Sequence, residues 1–129
     1  MSKYQLVSAN LCMTRDIGVG GNLFGGTMMA WIDEAAGIHA HRYTGVLRNV
    51  TLKYTELVFK EAVRVGEVVE FYASNPRVGR TSFTFDFEGR VGTRVVIHTT
   101  CTFVAVDPEG KPMEIPRPLP HERAATETP

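Results

Sequence analysis

Residues 25–42 read GGTMMAWIDEAAGIHAHR, a run without proline in which Ala, Met, Ile and Trp dominate and which Tyr43, Thr44 and Gly45 bring to a stop. The composition predicts one helix of about five turns, apolar nearly all round, which the rest of the chain must wrap. Two features of the stretch need explaining. Asp33 and Glu34 stand side by side in the middle of this helix, too far in to cap it, and five glycines crowd the preceding GVGGNLFGG at 18–26.

The wrapping comes from strand-like segments. Residues 3–13 alternate loosely, and four further runs follow the helix: Val50 to Phe59, Glu67 to Val78, Thr81 to Arg90, and Arg94 to Val106. Phe83, Phe85 and Phe87 alternate with Thr84, Asp86 and Glu88, the period of a half-buried strand. The last run is apolar on both faces and is expected to lie inside the sheet. Short Gly-, Asn- and Pro-bearing breaks at 75–80 and 89–92 suit antiparallel hairpins and leave no room for β-α-β crossovers. The fold class is therefore α+β, one long helix wrapped by a curved five-stranded antiparallel sheet. Residues 1–118 are expected to form a single domain and 119–129 a flexible, Pro-rich, extended tail.

The chain has 129 residues with 14 basic and 14 acidic side chains. Zero net charge gives no broad footprint for nucleic acid or a membrane surface, so an anionic ligand must be met by a few local Arg or Lys residues. No run approaches bilayer-spanning length and the N-terminus lacks a signal-like apolar core, which favours the cytoplasm. Cys12 and Cys101, both in apolar segments, are expected to be buried free thiols.

Several chemistries fail on spacing. Gly18 and Gly20 need a third glycine where Leu23 stands, which removes the dinucleotide fingerprint, and Thr27 occupies the lysine position of a phosphate loop. His39 and His41 lie two apart, on opposite helix faces, and read as helix-end residues near a surface or interface; no metal site emerges. Ser82 has no nucleophile-elbow glycines. Asp33 remains, on a stripe with Met29, Gly37 and Ala40. It either bonds a loop amide or an arginine such as Arg80, or lines a cleft as general base or nucleophile. In the second case Gly25 and Gly26, lacking side chains, let a carbonyl reach the helix N-terminus, where free N–H groups stabilise a developing oxyanion. Glu34 points about 100° away and serves a different face.

The segment NLFGGTMMAWIDEAAGIHAHR resembles the signature of the hotdog-fold acyl-CoA thioesterases, the small bacterial and brain-type acyl-CoA hydrolases. VTLKYTELVFKEAVRVGE, VGRTSF and TFVAVDPEGKPMEIP resemble that family's second strand, its hairpin near coenzyme A, and its last strand and tail. The resemblance implies hydrolysis of acyl-CoA to free fatty acid and coenzyme A, a step of lipid metabolism. It needs no cofactor, coenzyme A being part of the substrate. It carries the catalytic carboxylate onto Asp33 and the polarising amides onto Gly25 and Gly26, and it implies active sites at a homodimer interface, with dimers assembling further into tetramers or hexamers. The hairpin implies coenzyme A contacts at Arg77, Gly79, Arg80, Thr81 and Ser82, with Lys111 and Arg117 as further phosphate candidates. Relatives carry D-x-N-x-x-G-N-x-F-G-G; here Asp16, Gly21, Asn22 and FGG match, but Gly18 replaces the first asparagine, leaving its role to Asn22 or the second chain. Thr55 also stands where relatives often carry an acidic residue. Gly18 favours the alternative of a non-catalytic acyl-CoA-binding or sensing module on the same fold; the retained Asp33 favours the enzyme. A hotdog hydratase is a weaker third option, because the sequence shows no hydratase Asp and His pair at a recognisable spacing. Met28, Met29, Trp31 and Phe59 are expected in the core or along the acyl tunnel.

Overall fold

The computed structural model describes residues 3–127, with side chains through residue 123. Its elements are β1 (Gln5–Leu11), α1 (Gly25–Thr44), β2 (Asn49–Phe59), β3 (Val68–Val78), β4 (Ser82–Val91), β5 (Arg94–Ala105) and α2 (Pro120–Glu127), with a 3-10 turn at Thr14–Asp16. The strands form one antiparallel sheet in the order β1-β3-β4-β5-β2. β5 is internal, as its two apolar faces require.

Alternation on β4 decides where the helix sits. Phe83, Phe85 and Phe87 are buried while Thr84, Asp86 and Glu88 are only partly so, which makes an aromatic layer on one face. Onto it α1 lays Met28, Ile32, Ala35, Ala36, His39, Ala40 and Thr44, a stripe spaced three and four apart. Tyr43 stacks on Phe83 with centroids 4.7 Å apart, and the His39 ring meets Phe85 edge-on at 4.8 Å. His39 is therefore buried rather than at a surface. Burial, helped by the Arg42 charge, pushes its pKa down to about 4, so it packs as a neutral ring at pH 7.

The helix runs two residues beyond Arg42 because Thr44 Oγ1 bonds back to the Ala40 carbonyl at 2.7 Å. It ends at Gly45, whose φ of 76° is the left-handed cap that glycine takes without strain. The expectation of wrapping on all sides fails within one chain. The sheet covers one face, and the other leaves Met29 50% exposed together with Asp33 and Glu34.

Two local findings correct or support the sequence reading. Cys12 and Cys101 are buried free thiols. The segment from residue 119 is not extended: Leu119 is buried, Glu122 Oε1 accepts the Leu119 N–H at 2.8 Å, and α2 follows, with His121 set 5.0 Å from the Tyr43 ring. One apolar plug and one cap convert a polar stretch into a docked helix. Residues 128–129 of the expected tail lie outside the described residues. Among the described residues no helix is long and apolar enough to cross a membrane.

Candidate active site

Asp33 sits on the exposed side of α1, facing β2. A period-two strand would point Thr51 and Tyr54 to opposite faces, but the β2–β5 register shifts between Thr51 and Lys53. That bulge places Thr51 opposite Phe103 and Tyr54 opposite Cys101, two inward residues of β5. Both hydroxyls then reach the helix. Thr51 Oγ1 donates to Asp33 Oδ1 at 2.7 Å, and the Tyr54 hydroxyl donates to the same oxygen.

The Tyr54 pKa is raised, by burial first and then by its hydrogen bond to Asp33, so the phenol holds its proton at neutral pH. Cys101 beneath it is raised too, by burial and then by the Asp33 charge. Neither competes with Asp33 for the role of base. Of the two alternatives left by the sequence, a loop amide or Arg80 as partner is not what is found: Asp33 makes no ion pair among the described residues, and two strand hydroxyls hold it beside a groove. Around it lies a cavity of about 450 Å³ lined by Gly26, Met29, Ala30, Ile32, Thr51, Tyr54 and Leu57. A carboxylate in an otherwise apolar groove suits a reaction at a bond whose remainder is hydrocarbon.

The helix N-terminus is open. Phe24 is the N-cap and offers no side-chain acceptor, and the first intrahelical bond runs from the Met28 N–H to the Phe24 carbonyl at 3.0 Å. The N–H groups of Gly25, Gly26 and Thr27 thus have no intrahelical acceptor. Space at this end is set by Phe24, which is 58% exposed and whose ring lies across Gly26 and Gly18. A Cβ on Gly26 would come within 2.7 Å of that ring and one on Gly18 within 3.0 Å.

Geometry corrects one expectation. Gly26 and Asp33 border the same groove, but seven helical residues separate them by about 10 Å along the axis, and first-turn N–H groups point out of the end, away from Asp33. A single carbonyl cannot meet both within one chain. Asn22 is not in the Asp33 groove either. Its carbonyl accepts the Gly18 N–H at 2.9 Å, and its side chain borders a different cavity of about 310 Å³ with Leu23, Met28 and Phe59. Met29 thus lines the Asp33 groove, Phe59 lines the Asn22 cavity, Met28 borders that cavity from the core, and Trp31 packs half-buried on the core.

Gly79, Arg80 and Thr81 join β3 to β4. The Gly79 N–H bonds the Ser82 carbonyl at 2.7 Å, which closes the turn, and a Cβ at 79 would come within 2.9 Å of Ser82 Oγ, so a side chain there would make the Ser82 hydroxyl turn aside. The Arg80 and Thr81 carbonyls are taken by the Ile115 and Ala105 N–H groups, which ties the turn down while the Arg80 side chain stays exposed. Arg117 reaches the same end, bonding the Val78 carbonyl at 3.5 Å; Lys111 is exposed on a separate turn. Arg77 differs: it pairs with Asp86 at 3.3 Å and with the Asn75 carbonyl at 3.1 Å. Across the sheet Ser82 is level with Val104 and then Val50, beside Thr51, so the turn stands two strand spacings, about 10 Å, from the β2 end that holds Asp33.

Thr51 and Tyr54 are the site residues that sequence reasoning missed. Nothing in TLKY, residues 51–54, marks a bulge, and only the pairing with β5 reveals it. Among the described residues no group of three or more His, Cys, Asp or Glu side chains could hold a metal ion.

Comparison with known proteins gives the family to which this fold belongs. Residues 20–98 match the family model of the thioesterase superfamily. The acyl-CoA thioester hydrolase YciA of Salmonella typhimurium is 34% identical over 90% of each chain. Among solved structures, a hexameric thioesterase from Yersinia pestis superposes with a TM-score of 0.82 at 32% identity, covering 90% of this chain and 98% of that one. A hexameric hotdog fold thioesterase of Campylobacter jejuni gives 0.76 at 30% identity over 86% and 90%. The long helix with its FGG entry, the five-stranded sheet and the matched span together mean that this chain belongs to the thioesterase superfamily and has its hotdog fold.

Proposed function

We propose that this chain is an acyl-CoA thioesterase, hydrolysing the thioester to a carboxylic acid and coenzyme A, with Asp33 as the reacting carboxylate. The observation that carries the reading is Asp33 itself, held by two hydroxyls at the side of an apolar groove in a chain of this family. Asp33 draws a proton from water as the water oxygen adds to the thioester carbonyl, or attacks that carbon itself to give an acyl anhydride that water opens. Either way the C–S bond breaks and the electron pair leaves with sulfur as coenzyme A thiolate. No resident cofactor is called for.

The oxyanion donors come from a second copy. The Gly25 and Gly26 amides of the same chain point away from its Asp33, so the amides that meet a thioester beside Asp33 belong to the partner subunit. A docking face supports this. β2 is an edge strand, and next to it the exposed side of α1 presents Met29, while Leu52 is 60% exposed on the strand. Such an unpaired apolar edge fits isologous pairing with another β2. The homodimer is thus the smallest complete enzyme, and the two structural relatives described as hexameric support three such dimers per assembly. Arg80, with Arg117 near it and Gly79, Thr81 and Ser82 shaping the turn, takes the coenzyme A phosphates; Arg77, occupied by Asp86, is a weaker candidate. Asn22 enters only if the partner brings it to the groove. The cytoplasm, where acyl-CoA is made and used, is the expected compartment.

Thiol release over acyl-CoAs from acetyl to palmitoyl tests the reading. Turnover with an optimum set by groove length is the expected result. Binding without turnover across the series would overturn it in favour of a sensing module, the reading Gly18 supports.

A further inference from the structure

The two oxygens of Asp33 are not equivalent. Oδ1 accepts from both Thr51 and Tyr54, whereas Oδ2 has no hydrogen bond among the described residues. A carboxylate on an exposed helix face turns freely about its last bond, a soft two-fold torsion, and would present either oxygen. Two donors converging on one oxygen from a single strand stop that rotation. The bulge at residues 51–53 is what permits the convergence, since without it Tyr54 would face the other side of the sheet.

We propose that Tyr54 is a positioning residue for the hydrolysis: with Thr51 it occupies Asp33 Oδ1, fixes the carboxylate plane and assigns Oδ2 as the oxygen that meets the water or the thioester. The inference rests on the reading of Asp33 as the reacting group. Tyr54 suits the task because its ring is half-buried over Cys101 and its phenol stays protonated, giving a donor that neither swings away nor ionises in the working range. Oδ2, free of partners, keeps its lone pairs for the reaction, and the donors on Oδ1 hold it towards the groove.

Tyr54→Phe keeps the ring and removes the donor. Thiol release should show kcat reduced about tenfold with KM unchanged, as for a group that orients a reacting atom without binding substrate. Affinity for a non-hydrolysable acyl-CoA thioether and the melting temperature should match the parent. Thr51→Val, which removes the other donor, should give the same kcat-specific loss. A Tyr54→Phe enzyme whose kcat stays within about twofold of the parent, while Asp33→Asn is inactive, overturns the proposal and leaves the Asp33 reading standing. So does a rise in KM with a fall in melting temperature, which would make Tyr54 merely structural. If Asp33→Asn itself turns over normally, the Asp33 reading falls and this proposal with it.

Discussion

Asp33→Asn is expected to lower kcat for acyl-CoA hydrolysis by about 10²- to 10⁴-fold, the usual contribution of a positioned acid–base group. The amide is nearly the same size, and its oxygen can still accept from Thr51 and Tyr54, so the side chain keeps its place while losing the ability to take a proton or attack a carbonyl. The residue is exposed in the chain and makes no ion pair among the described residues, so the melting temperature should barely move. Thiol release under single-turnover conditions measures the loss in the chemical step. Glu34→Gln supplies the control: Glu34 is exposed and does not border the Asp33 groove, and its variant should hydrolyse at the parent rate.

Gly25→Pro should cost about 10²- to 10³-fold in kcat, the loss found when one oxyanion donor is removed. Gly25 is the first helical residue after the Phe24 cap, where proline is well accepted and where its N–H has no intrahelical acceptor to lose. Phe24 already has ψ 134°, the extended conformation required before proline, and a Cβ at 25 meets nothing within 4 Å. The substitution therefore removes a donor while leaving helix and core intact. Far-ultraviolet circular dichroism and the melting temperature should be unchanged while thiol release collapses. A parent-like kcat would mean that the N-terminal amide of this position does not stabilise the oxyanion.

Much of the fold was legible because the strongest signals are local. The proline-free run from Gly25 and the Phe83, Phe85, Phe87 alternation placed the long helix and the aromatic face it packs on, and both stand within a residue or two. The tail was misread because one apolar residue, Leu119, docks a segment whose composition is otherwise that of a loop. Asp33 stood out as a charge among apolar neighbours, and the glycines ahead of it as open backbone. Its partners did not, because a β-bulge lies in the pairing of two strands distant in sequence, and Thr51 and Tyr54 converge only through it. The same limit hid the relation between Gly26 and Asp33. Seven residues read as one device in the sequence, but the rise per residue sets them about 10 Å apart along the helix, and the helical N–H groups point away from the carboxylate.

The proposed two-chain site is tested most directly by mixing the Asp33→Asn and Gly25→Pro chains, each inactive alone, in equal amounts so that dimers re-form at random. A mixed dimer has one site in which an intact Asp33 faces an intact helix N-terminus and one in which both are lost. Random pairing makes half the dimers mixed, so thiol release should recover to about a quarter of the parent rate. No recovery, with mixed dimers shown to be present, would mean that Asp33 works with the glycines of its own chain and would contradict the shared site.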